Sequence, residues 1–329
     1  MYRLLLAISV AFATPVAAAE LSPAVVFDMG GKFDKSFNEA VHSGAEAFTK
    51  KTGIAVREFE PQTDAQREQG LRQFARRGQD PIIAVGFSQA SGVKAVAPEF
   101  PQLRFVIIDS VVEAPNVQSI LFREEQGSYL AGMLAALKSQ TGTIGFVGGM
   151  DVPLIRRFAC GYTQGAHAVN PKVTVLQNMT GSTPAAWNDP VRGAELARSQ
   201  IDRGADVVFQ AAGATGIGVL QAAADAGKYG IGVDSNQNAL HPGHVLTSMV
   251  KELDVATQTT LEAARAGSWK AGTLVLGVAE GGVGLAFDAD NAAIVTPDIR
   301  QRVDAAKAEI AAGKINVHDY MSDSACPPP

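Results

Sequence analysis

Two segments of this chain repeat one another element for element, and that repetition restricts the available folds more than any other feature. The run from Asp80, DPIIAVGFSQASGVKAV…FVIIDS, and the run from Asp206, DVVFQAAGATGIGVLQAA…GIGVDS, each read as strand, small-residue turn, helix, strand and a closing Asp-Ser. Parallel neighbours need a helical crossover between them, so a repeated unit of this kind implies two similar α/β lobes. Asp109-Ser110 and Asp234-Ser235 close the two units. Their carboxyl strand ends are expected to face one shared cleft, the edge where open α/β sheets bind ligands.

The same alternation runs through the rest of the chain and predicts parallel sheets with helices on both faces. Strands are expected at 54–59, 81–86, 103–109, 143–149, 205–210, 229–234 and 245–250. Helices are expected at 63–77, 124–138, 189–203, 215–226, 252–266 and 298–312. Asp189-Pro190 and Thr296-Pro297 are helix starts of the cap-then-proline kind.

The opening unit, FDMGGKFDKSFNEAVHSGAEAF at 27–48, combines a strand end at Asp28, a Gly30-Gly31 turn and an amphipathic helix. Apolar residues at Phe37, Val41, Ala45 and Phe48 have helical spacing. Ser36 and Glu39 have the spacing of a capping box, which predicts the helix start there. Asp28, Phe37 and Asn38 are therefore gathered at one point at a strand's carboxyl end.

The first 19 residues read as an export signal and lie outside the fold. Arg3 is followed by an apolar stretch and then by Ala17, Ala18 and Ala19, a small-residue cleavage site. A spanning helix needs about 20 apolar residues, and Pro15 interrupts this run. No cysteine near the cleavage site offers a lipid anchor. Only Cys160 and Cys326 are present. In an oxidising compartment the pair suggests a disulfide tying the tail to the second half of the chain; the alternative is one buried and one loose thiol. A net charge of -5 across 329 residues gives no electrostatic reason to expect nucleic acid or an anionic membrane.

Asp28, Asp109 and Asp234 end three strands, and Lys251 follows a fourth. An acid ending one strand is most often a turn former, but four charged groups converging on one edge suggest a site. Carboxylates there accept from hydroxyls or from amide-like N–H groups, which suits a neutral solute. Phe37 and Phe209, one in each lobe, are candidates for stacking on a flat ligand; burial in the core is the competing reading for Phe209. Trp187 beside the 181–184 loop carries no assignment. There is no G-x-x-x-x-G-K-S/T loop and no G-x-S-x-G elbow. The five histidines form no metal pattern, and no cofactor is implied. The glycines of 213–218 read as a close-packed strand–helix turn.

The segments DMGGKFDKSFN at 28–38, FVIIDS at 105–110, GFVGGMDVPLIRRFACGY at 145–162, VVFQAAGATGIGVLQAA at 207–223, GVDSNQN at 232–238 and TSMVK at 247–251 resemble the basic membrane protein family of ABC-transporter substrate-binding proteins, the purine-nucleoside receptor type. The resemblance covers essentially the whole mature chain. It implies the type I periplasmic-binding-protein fold, two doubly wound lobes joined by three crossovers that close on a solute. The lobes are expected at 22–115 with 246–280 and at 116–245 with 281–320, followed by a tail at 321–329. It further implies that Phe37 and Phe209 stack on a base, that Asp109 bonds the base edge, and that Asp28, Asn38, Asp234 and Lys251 bind the ribose or frame that end. Gly213 would let backbone approach the ligand. Two departures stand out: Phe33 replaces an acid that many relatives carry, and the lipid-bearing cysteine of many relatives is absent.

The implied activity is a monomeric, soluble periplasmic receptor that delivers a purine nucleoside or nucleobase to an inner-membrane ABC permease. The alternatives are a nucleoside-cleaving enzyme using the same carboxylates, a sensor subunit, and a receptor for a sugar or another flat heterocycle.

Overall fold

The computed structural model describes residues 21–328; the expected export signal lies outside them. In chain order the first half contains β1 (Ala24–Val26), α1 (Phe37–Thr52), β2 (Arg57–Phe59), α2 (Asp64–Arg76), β3 (Ile82–Ala84), α3 (Ala90–Val96), β4 (Phe105–Ile108) and β5 (Val117–Phe122). Next come α4 (Glu124–Lys138), β6 (Thr143–Met150), α5 (Pro153–Val169), β7 (Thr174–Gly181), α6 (Pro190–Asp202), β8 (Val207–Ala211), α7 (Thr215–Asp225) and β9 (Tyr229–Asp234). The chain finishes with β10 (Val245–Lys251), α8 (Leu253–Arg265), β11 (Gly272–Leu276), β12 (Val283–Leu285) and α9 (Pro297–Ala311).

These strands make two six-stranded sheets, ordered β11-β5-β4-β3-β1-β2 and β12-β10-β9-β8-β6-β7. Position by position the orders correspond, β3 with β8 and β4 with β9, so the sequence repeat is a repeat of architecture. All described pairings are parallel except β10 with β12 and one isolated bridge.

Strands buried on both faces need apolar residues on both parities. In the first lobe Ala24, Val26, Ile82, Phe105 and Ile107 pack toward α2 and α3 with Leu71, Phe74, Val93 and Val96. The intervening Val25, Ile83, Val106 and Ile108 join the cluster that includes Val41 and Phe48 of α1. In the second lobe Val147 and Val208 share a cluster with Leu196 of α6 and Val219 of α7. Val207 and Phe209 face the other way, into the cluster with Phe146 and Tyr162.

The chain changes lobe three times; the third change falls where expected, between 280 and 281, but the first two do not. β5, placed by sequence in the second lobe, hydrogen-bonds β4 in the first sheet, and β10, placed in the first lobe, pairs with β9 in the second. The crossovers therefore fall near 123, 252 and 277–282, immediately after β5, β10 and β11. Sheet membership is decided by non-local pairing, which a segment's own composition does not encode.

Candidate functional site

The turn between β1 and α1 is organised by Asp34. Its carboxylate accepts from the backbone N–H of Ser36 at 2.9 Å, Asn38 at 3.0 Å and Glu39 at 3.1 Å, the last two being orphan donors of the helix start. The expected capping box is not formed, since Ser36 makes no side-chain cap bond. Its hydroxyl is left to donate across the cleft to Asp234 Oδ2 at 2.6 Å.

Asn38 lines the cavity, but its amide is spent on the loop. Oδ1 accepts from Asp28 N at 3.0 Å, while Nδ2 donates to the carbonyls of Asp28 and Gly31 at 3.3 and 3.2 Å. Asp28 is similarly held. Its Oδ1 accepts from Met29 N at 2.8 Å, Ser88 Oγ at 2.7 Å and Arg67 Nη2 at 2.9 Å. A Cβ on Gly86, at φ 96°, would stand 2.5 Å from Asp28 Oδ2, so only glycine admits the carboxylate here.

Asp109 and Asp234, the acids of the closing Asp-Ser pairs, adopt the same left-handed backbone at φ 64° and 63°. That conformation costs a non-glycine residue free energy, and at both strand ends it turns an acid to the cleft. Asp109 Oδ2 accepts from Lys251 Nζ at 2.7 Å, and Lys251 also lies 3.0 Å from Glu124 Oε1. Lys251 is only 2% exposed, and the rings of Phe37 and Phe122 have their centroids 5.0 and 4.9 Å from its ammonium. Asp109 Oδ1 is buried with no partner among the described residues.

The lobes are closed on each other. Besides the Ser36–Asp234 bond, Ser235 Oγ donates to Ser36 O at 2.8 Å and Gln237 Nε2 to Lys35 O at 2.8 Å. Phe87 from the first lobe meets Trp187 from the second edge-on at 6.5 Å. Between them lies a cavity lined by Asp28, Asp34, Phe37, Asn38, Phe87, Asp109, Phe158, Trp187, Gly213, Asp234 and Lys251 among others.

Seven of the eight expected ligand residues thus reach one cavity; Phe209 does not. It is wholly buried in the second lobe, its ring 5.5 Å from Phe146 and 5.3 Å from Tyr162. Even spacing along β8 puts it on the α4–α5 face, away from the cleft. The second lobe's aromatic wall is instead Phe158, from α5, and Trp187, whose ring covers Gly149 so closely that a Cβ there would stand 2.1 Å from it. Glu124, the second carboxylate on Lys251, was not singled out by sequence. Phe33 is 65% exposed and outside the cavity, its ring edge on His42, so the departure at that position leaves the cavity wall unchanged. Cys160 and Cys326 are disulfide-bonded, S–S 2.13 Å. Among the described residues no cluster is placed to hold a metal ion, and no helix is long and apolar enough to cross a membrane.

Burial dominates the electrostatics. Desolvation raises Asp34 and Asp234 from 3.8 to about 6, against the backbone donors of Asp34 and against Lys251 and Ser36 beside Asp234. It raises Asp109 as well, offset in part by Lys251 and reinforced by Glu124. Burial opposes the charge on Lys251, but Asp109, Glu124 and Asp234 outweigh it and hold its pKa above 10.5. Folded Asp34 and Asp234 therefore bind protons more tightly than in the unfolded chain. Their contribution to stability is fully present below about pH 4 and is lost as pH rises through 6. Solute-free protein is expected to gain on the order of 2 kcal/mol between pH 8 and pH 5, read by calorimetric melting; a melting temperature that rises with pH over this interval would contradict the assignment.

Two mirrored doubly wound lobes closed on a cavity lined by carboxylates, one ammonium and aromatic rings define a two-lobed solute-binding protein of type I periplasmic-binding architecture. A solute-binding protein of an ABC transporter system from Aeropyrum pernix superposes with a TM-score of 0.82 at 28% identity, covering 90% of this chain and 92% of that one. A transcriptional activator of the comK gene from Bacillus halodurans shares the fold at a TM-score of 0.76, 21% identity and coverage of 90% and 100%. An ABC transporter nucleoside-binding protein from Lactococcus lactis is 32% identical over 91% of this chain and 89% of its own length. An uncharacterised lipoprotein of Pyrococcus furiosus is 33% identical over 82% and 71%. The model of the family described as ABC transporter substrate-binding protein PnrA-like matches residues 22–319. The chain belongs to that family.

Proposed function

We propose that this protein is an exported receptor that captures a purine nucleoside or purine base in the inter-lobe cavity and presents it to the membrane permease of an ABC importer. The single observation that carries the reading is Asp109. Its Oδ1 is a buried acceptor without a partner among the described residues, held rigidly because Oδ2 is tied to Lys251. An unsatisfied buried acceptor costs free energy until a donor arrives, and a ring N–H or exocyclic amino group is such a donor. The flat walls of Phe37 and Phe158 suit a heteroaromatic ring, each stack adding about 1 kcal/mol. Asp34, Asp109 and Asp234 outnumber Lys251, while Asp28 is compensated by Arg67, so an anionic solute is disfavoured. The Lactococcus lactis relative, named as nucleoside-binding, supports the solute class. The relatives named as lipoproteins support export. Ligand-driven closure then follows from the bonds that join the lobes only when shut.

Native mass spectrometry of protein purified without added solute tests this directly, because a tight receptor retains its ligand. A co-purifying mass equal to a purine base or nucleoside is expected. Conversion of inosine, adenosine or guanosine to base and sugar by catalytic amounts of protein would contradict the reading.

The two phenylalanines separate the binding role from the core role. Phe209→Ala is expected to lower stability by about 3–5 kcal/mol by opening a cavity beside Phe146 and Tyr162. Phe37→Ala, at a half-buried position, is expected to weaken purine binding by about 1 kcal/mol or more while leaving the solute-free melting temperature near wild type. Paired thermal melts and titrations would show the reverse pattern if the ring on β8 were the ligand contact.

A further inference from the structure

The ion pairs of the cavity do not stop at its wall. The carboxylate of Glu124 that faces Lys251 through Oε1 accepts, through Oε2, from Arg157 Nη1 at 2.8 Å. Arg157 also donates to the carbonyl of Phe122, at the first crossover, at 3.0 Å. Its other edge is taken by Asp319: Nε meets Oδ1 and Nη2 meets Oδ2, each at 2.7 Å. This is the bidentate fork that orients a guanidinium as well as neutralising it.

Asp319 lies in the segment after α9, which is laid back along α5. Gln164 clasps His318 through both its amide atoms, at 3.0 and 2.9 Å, and Cys160 is bonded to Cys326. Arg157, Cys160 and Gln164 stand at i, i+3 and i+7, one face of α5. Another face of the same helix sends Ile155 and Phe158 into the cavity. One helix therefore carries the tail on one side and the solute wall on the other.

We propose that residues 317–326 form a strap that is a working part of the solute site, with Asp319 a positioning residue that sets Arg157 and Glu124 and, through Lys251, the charge and placement of Asp109. This rests on the reading of the cavity as the solute site. The charge inventory explains why the outer link matters. Around this axis stand Asp109 and Asp234 at the strand ends, Glu124 and Glu125 on α4, Asp34 before α1 and Asp319 on the strap. Against them are buried Lys251 and partly buried Arg157, with Arg123 half-exposed and 3.7 Å from Glu125. With acids in excess, the position of each cation fixes which carboxylate stays ionised. A strap that only clamped the fold would add stability and leave Asp109 unaffected.

The two roles separate in a carboxyl carbon-13 NMR titration of Asp109 in the oxidised, full-length, solute-free protein. Removing one negative charge frees Arg157 for Glu124, so Asp319→Asn is expected to move the Asp109 midpoint to lower pH by about half a pH unit. Asp323→Asn, on the same strap but facing His318, is expected to leave it in place. The double variant Cys160→Ser, Cys326→Ser is expected to shift it in the same direction as Asp319→Asn, by less. An unchanged midpoint in Asp319→Asn overturns the proposal, even if the melting temperature falls. With inosine as probe, the pH at which affinity is half lost is expected to move with the NMR midpoint. If wild type gives no heat with inosine, guanosine, adenosine or hypoxanthine, the receptor reading fails while the titration still decides the role of the strap.

Discussion

Replacing Lys251 by methionine is expected to lower the stability of the solute-free protein by about 3–5 kcal/mol. The ammonium is fully enclosed, bonded to Asp109 and within 3.0 Å of Glu124, with Asp234 also in its field. Methionine matches the aliphatic stem but leaves these acids without their shared cation, and an uncompensated buried charge is far more costly than a missing surface pair. The acids relieve the cost by taking up protons. The loss should therefore be larger at pH 8 than at pH 5, where uptake is easier. Urea unfolding at the two pH values measures both quantities. A loss under about 1 kcal/mol at pH 8, the size of a surface pair, would mean that the ammonium is not the cluster's counter-ion.

Asp109→Ala should act in the opposite place. Lys251 keeps Glu124, and a cluster with surplus acid loses one of its carboxylates, so the melting temperature of the solute-free protein is expected to stay near wild type or rise slightly. Binding is where the deletion is felt. The solute donor that met Oδ1 is left buried without an acceptor, which costs about 2 kcal/mol or more, a roughly thirtyfold rise in Kd. Calorimetric titration with whichever purine the native protein retains checks the affinity, and a parallel melt checks the stability. An unchanged Kd would remove Asp109 from the solute contact.

The same ion pair thus gives one variant that is chiefly unstable and one that is chiefly unable to bind. That asymmetry follows from counting charges around Lys251 and would not follow from treating the pair as an isolated salt bridge.

Much of this frame was legible in the sequence because it is local. Helices 124–138 and 215–226 and strands 143–149 and 229–234 are written in their own periodicity, and the structure reproduces them to within a residue. The duplicated Asp-Ser closures appear as twin left-handed aspartates. The turn at 28–38 brings Asp28, Phe37 and Asn38 together as its glycines and helix start imply.

Most of what was misread depends on partners distant in sequence. Phe209 sits in an apolar strand beside a glycine turn, and only the face chosen by β8 decides between cleft and core. Ser36 has the spacing of a cap, yet Asp34, two residues earlier, captures the backbone donors and leaves the serine to bridge the lobes. Glu124 is an acid in the first turn of a helix, where the macrodipole alone would favour it, so nothing local marks it as a ligand of Lys251. Phe158 and Trp187 reach the cavity through the packing of α5 and of the 184–187 turn. β5, α5, β7, β11 and β12 carried no assignment from pattern, and β11 is largely exposed, so its burial periodicity is weak.

The most direct test is isothermal titration of protein stripped of any retained solute by unfolding and refolding, against inosine, guanosine, adenosine and the corresponding free bases. Saturable one-to-one heat with at least one of them is expected, with a negative heat-capacity change as the cavity closes, abolished or strongly weakened in Asp109→Ala. Absence of heat with every purine, from protein whose melt shows it to be refolded, would contradict the central claim.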